Sequence, residues 1–137
     1  MNFEEIFDSS YGRALNGEVN GKSFFESFYD RFLSIDEGIA SRFANTDMAR
    51  QQKMLKKSFY RLFAFYASSQ ADDYISQIAE SHNRKHMDIR PEFYDIWLDC
   101  LIYTVRQFDA EFSEDVELAW RLVMTPGITY MKFKYDK

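Results

Sequence analysis

The stretch "IAESHNRKHMDIRPEFYDIW", residues Ile78 to Trp97, holds both histidines of the chain, His82 and His86, four positions apart. Tyr74, Ile75, Ile78, Ala79 and His82 recur at helical spacing, so His82 takes a core position of its helix. A neutral imidazole on an apolar face needs partners for its ring nitrogens. Three readings follow: a core histidine bonded to a carbonyl, a zinc pair formed with His86 one turn on, or a single imidazole holding haem iron. Zinc would need two further ligands, and neither a third His nor a Cys is at hand.

Working outward, helices dominate. Pro91 suits the first position of a further helix whose inward residues are Tyr94, Trp97, Leu98, Leu101, Val105 and Phe108. Ser113 caps a last helix, with Glu114, Asp115 and Glu117 at its positive end. Pro126-Gly127 is expected to kink or interrupt that helix. Upstream, Met48, Gln51, Leu55, Phe59, Leu62 and Tyr66 fall on one face of a long helix that Thr46 or Asp47 caps and "ASSQADD" ends. Before it comes a turn-rich segment, roughly residues 34–43. Earlier still, Ser23 and Glu26 form a capping box opening "SFFESFYDRFL". A first helix carries Phe3, Ile6, Phe7, Tyr11 and Leu15 and stops at "NGEVNGK". No segment alternates with period two, so strands are not expected. The fold class is all-α, in one domain over residues 1–137.

Bulk properties narrow the function. Aromatic residues make up 18% of the chain, 14 of them Phe and 9 Tyr, enough for a large core or one that wraps a flat apolar ligand. The net charge of −5 argues against a general nucleic-acid binder. No apolar run reaches the roughly 20 residues that cross a membrane, and "MNFEEIFDSS" is not a signal peptide. Cys100 stands alone, which excludes an intrachain disulfide and makes a reducing cytoplasm the default compartment. It is read as a half-buried, inert thiol.

"HNRKHMDI" resembles the proximal stretch of globins, where the axial His precedes a second His near a haem propionate. "RPEFYDIWLDCLI" looks like the start of a globin's next helix. "FFESFYDRFL" is similar to the second helix of bacterial single-domain haemoglobins and flavohaemoglobins, with Tyr29 at the distal tyrosine position. "RFANTDMARQQKML" is similar to their segment carrying the Phe that packs on haem, here Phe43, then the distal Gln, here Gln51, then an apolar residue, here Leu55. The order holds from the first helix to "YMKFKYDK", nearly the whole chain.

The resemblance implies a three-over-three globin sandwich around haem b. His82 would be the iron ligand, and Tyr29 and Gln51 the donors to a bound ligand. Phe43, Leu55, Phe93, Tyr94 and Trp97 would line the pocket. His86 and Arg90 would contact the haem edge, where Arg84 and Lys85 also offer charge to propionates. The expected function is binding of oxygen, and of nitric oxide or other diatomic ligands, with slow oxygen release. An alternative is nitric oxide dioxygenation with a separate reductase; a different class is a haem-free globin-fold interaction or sensor domain. Tyr94 matches the Tyr of the flavohaemoglobin proximal network. "TPGITYMKFKYDK" has no Glu to match its partner, so the resemblance stops short of peroxidase-like activation.

Overall fold

Asn, Ser and Asp side chains open most of the helices, as their short acceptors favour. In a computed structural model that describes residues 1–137, the elements run α1 (Phe3–Leu15), β1 (Glu18–Val19), β2 (Lys22–Ser23), α2 (Phe24–Ile35), α3 (Glu37–Arg42), α4 (Met48–Ser68), α5 (Asp73–His82), α6 (Pro91–Phe108) and α7 (Glu114–Lys134). The Ser23 hydroxyl accepts from Glu26 N at 3.3 Å while Glu26 Oε1 accepts from Ser23 N at 3.1 Å, the capping box read from the sequence. Asp47, not Thr46, caps α4 by accepting from the amides of Ala49 and Arg50. Ser113 caps α7, its hydroxyl 3.3 Å from Val116 N. No helix is long and apolar enough to cross a membrane.

Four local expectations need correction. Residues 37–42 form a helix, α3, because Asp36 Oδ1 accepts from Gly38 N at 2.7 Å and Ile39 N at 3.2 Å, and Ile39 is buried. Six residues are too few to show a stripe. "EVNGKS" is a minimal hairpin, pairing Glu18 with Ser23 and Val19 with Lys22. Asn20 and Gly21 turn it at φ 54° and 76°, the left-handed pair that a two-residue hairpin loop demands. Third, of the two outcomes expected at Pro126-Gly127, interruption does not occur: α7 runs on through Pro126. An interior proline forfeits a helical hydrogen bond and costs about 3 kcal/mol; the buried Val123, Met124, Ile128 and Met131 on either side offset it. Fourth, α5 ends at His82, so His86 lies beyond the helix and not one turn along it.

The chain divides into two compact units, residues 1–45 with 96–122, and 46–95 with 123–137. The first unit has an aromatic core. Trp120, fully buried, meets the edge of Phe7 at 4.7 Å and stacks on Phe24 at 6.5 Å. Phe24 also meets Phe108 at 5.6 Å and Phe28 meets Trp97 at 6.1 Å, both edge-on. Such pairs contribute about 0.5–1.5 kcal/mol beyond area burial. Beneath them lies a polar knot. The buried Asp109 accepts from Ser10 Oγ at 2.6 Å, from Arg13 Nε at 2.6 Å and Nη2 at 2.9 Å, and from Glu111 N at 2.9 Å. Trp120 Nε1 donates to Ser10 Oγ at 2.9 Å, joining α1, the end of α6 and α7.

The second unit is built on α4, α5, the start of α6 and the end of α7. Leu55, Phe59, Leu62, Ile75 and Ala79 are buried. Gly127 permits close approach of α7 to α4: a Cβ there would fall 2.1 Å from Leu62 Cδ2. Phe65 and Tyr130 rings lie 5.7 Å apart, and Lys132 Nζ donates to Asp95 at 2.6 Å.

Candidate functional site

His82 is the last residue of α5. It follows the buried Ile75 and Ala79 of that helix and is itself half-buried. Burial lowers its pKa to about 4, so the imidazole is neutral at ordinary pH. Its one hydrogen bond joins Nδ1 to the Tyr94 hydroxyl at 3.2 Å. Tyr94 comes from the first turn of α6, one helix face on from Pro91. Burial holds its phenol well above the usual range, so it stays protonated. The tautomer in which Nδ1–H donates to Tyr94 leaves the Nε2 lone pair for a metal.

The segment after His82 is tied on both sides. Met87 N donates to Ser81 O and Ile89 N to His82 O, each at 3.0 Å. Asn83 replaces the next helical turn: its Oδ1 accepts from Lys85 N at 3.1 Å and from His86 Nδ1 at 2.7 Å. That bond keeps His86 at the exposed surface. From the far end of the chain, Tyr135 donates to Asp88, which sits at φ 53°. Arg84 N donates to Tyr135 O at 3.0 Å and Arg84 Nε to Asp136 at 2.6 Å. Helical periodicity gives no hint of these pairings, since they link exposed or irregular residues some fifty positions apart.

The remaining expected residues fall as follows. Tyr29 is buried in α2, and its ring lies 6.0 Å from that of Phe43, the residue that ends α3. Gln51 is half-buried in the first turn of α4, and Leu55 is buried one turn on. Phe93 is buried at the start of α6, with the guanidinium of the exposed Arg90 5.9 Å from its ring. Trp97 is half-buried. Three pairs of expected residues are thus brought together, His82 with Tyr94, Tyr29 with Phe43 and Arg90 with Phe93. Arg84 is engaged by Asp136 and lies over the Tyr135 ring. Cys100 is fully buried and not half-buried as expected, with its thiol pushed up to about 11 by desolvation, which disfavours the reactive thiolate.

No group of three or more His, Cys, Asp or Glu side chains is placed to hold a metal ion. A lone imidazole can still serve a metal that arrives with most of its ligands already attached.

No family model matches the sequence, and no curated protein matches it. Among solved structures, it resembles protein PA3967 of Pseudomonas aeruginosa PAO1, described as structurally highly homologous to a human haemoglobin. The two share 34% identity over 99% of this chain and 100% of that one, with a TM-score of 0.90. The chain belongs to the globin family, and its fold is the haemoglobin-like one that the order of its motifs implied.

Proposed function

We propose that this protein is a single globin domain that binds haem b through His82 and takes up oxygen or another diatomic ligand such as nitric oxide. The observation that carries the reading is His82 itself, neutral, half-buried and bonded through Nδ1 to Tyr94. Such a partner fixes ring orientation and raises the basicity of the other nitrogen. Haem held by His82 would supply iron able to take up a diatomic ligand, and the surrounding donors would tune its behaviour.

Tyr29 and Gln51 are the donors, a phenolic O–H and an amide N–H. Two hydrogen bonds to a charge-bearing ligand, each contributing about 1.5–3 kcal/mol, slow its release by about a hundredfold or more. Phe43, Leu55, Phe93, Tyr94 and Trp97 exclude water, and His86 and Arg90 meet the polar rim. The setting is cytoplasmic, and a separate reductase supplies electrons to any redox cycle.

The purified protein reconstituted with haem is expected to show a Soret band that His82→Ala abolishes or strongly weakens. Undiminished haem affinity in that variant would overturn the reading. Sustained consumption of nitric oxide with an added reductase would replace a binding protein by an enzyme.

A further inference from the structure

Within the first unit, a groove of about 410 Å³ opens between the hairpin, α2 and the end of α6. Its polar lining includes Asn20, Lys22, Ser27, Asp30, Arg31 and Gln107. We propose that this groove binds a small hydrophilic oxyanion, a carboxylate or a phosphate monoester. The inference does not depend on haem.

Arg31 carries the argument. Its guanidinium lies 3.7 Å from the centre of the Tyr103 ring, covering a tyrosine that is otherwise half exposed. Nη1 donates to Gln107 Oε1 at 3.3 Å and Thr104 Oγ1 at 3.4 Å, while Nε and Nη2 have no partner in the protein. Stacking and pinning hold the fork in place, and a held fork loses less freedom when it meets a carboxylate or phosphate. The rest of the lining supplies donors. Gln107 accepts from Arg31 through its oxygen, which leaves its amide N–H groups unpaired. The Ser27 hydroxyl and the Asn20 amide are likewise without partners.

The charges agree. Lys22 donates to Asp30, and that pair is exposed and contributes little to stability. With Lys22 and Asp30 cancelling, Arg31 leaves the groove at +1 in a chain of net charge −5. The volume lies within the range of small-molecule sites, about 300–1,000 Å³. Val19 is the one hydrophobic residue of the lining, so the groove selects its occupant through polar groups.

The test is NMR titration of the isotopically labelled protein with inorganic phosphate and, separately, malonate, at ionic strength fixed with chloride. Saturable shifts at Asn20, Lys22, Ser27, the Arg31 Nε–H and the Gln107 side chain are expected with at least one of the two. The tighter arm identifies the headgroup. Arg31→Lys keeps the charge but loses the fork, and should weaken binding tenfold or more. Asp30→Asn removes the competing acceptor and should tighten it several-fold. Should Arg31→Lys fold poorly, the exposed Lys22→Gln takes its place, with a several-fold loss expected. Shifts that never saturate with either anion, that chloride alone reproduces, or that survive these substitutions unchanged would overturn the proposal.

Discussion

For Tyr29, one atom separates the binding role proposed for it from the packing role that the structure shows. Its ring is buried against Phe43, and Phe would fill the same space. Tyr29→Phe should therefore leave stability within about 1 kcal/mol yet raise the oxygen dissociation rate about tenfold or more. Stopped-flow release that is no faster than wild type would remove Tyr29 from the ligand's surroundings. Asp109 is the reverse case, a residue with no expected chemistry that matters for stability. Desolvation pushes its carboxyl up, but the bonds from Arg13, Ser10 and Glu111 N together outweigh this and hold it below the usual carboxylate range. A depressed folded-state pKa contributes stability that is present above the unfolded value, about 3.9, and disappears as pH falls through the folded one. Asp109→Asn should cost roughly 2–3 kcal/mol at neutral pH, since Arg13, one-third exposed, loses its bidentate carboxylate and keeps only Glu111, at 3.4 Å. Urea unfolding below pH 4 should show a flatter acid loss in the variant than in wild type.

At the scale of elements, the sequence announced what had caps and stripes. The capping box at Ser23 and Glu26, Pro91 at a helix start and Ser113 at the last helix all stood in plain view, because each is a local rule satisfied by neighbouring residues. What was hidden depends on geometry that short segments cannot advertise. α3 owes its existence to two bonds from Asp36 and one buried Ile39. The hairpin owes its own to two residues at positive φ. Pro126-Gly127 suggests a kink or a break because both residues disfavour helix interiors, and the reason for the glycine lies 65 positions away at Leu62. Gly127→Ala forces the buried Leu62 end to move and should destabilise by about 1–3 kcal/mol, as overpacking does. Pairing it with Leu62→Ala should recover part of that loss, and additive losses in thermal unfolding would show that the two do not meet.

For the molecule as a whole, the candidate site was legible because several weak motifs stood in the right order, and the similarity to the Pseudomonas protein extends over that same order. His82 with Tyr94 came from periodicity and resemblance together. The clamp of Tyr135 and Asp136 on the segment after His82 was not legible, since pairs between irregular segments some fifty positions apart leave no periodic trace. Neither compact unit is a continuous stretch of chain. Residues 1–45 alone lack Trp97, Phe108, Asp109 and Trp120, the groups on which Phe28, Phe24, Arg13 and Phe7 pack. Made as a separate peptide, that fragment should lack a cooperative thermal transition by circular dichroism; a sharp one would show that its helices hold without those partners.

Trp120 adds a practical consequence. Its indole is wholly enclosed and donates a hydrogen bond to Ser10, while Trp97, the chain's other tryptophan, is only half covered. Replacing Trp97 by Phe would leave Trp120 as the only tryptophan, inside the aromatic cluster of the first unit. The colour of its emission would then report, without any label, when that cluster admits water.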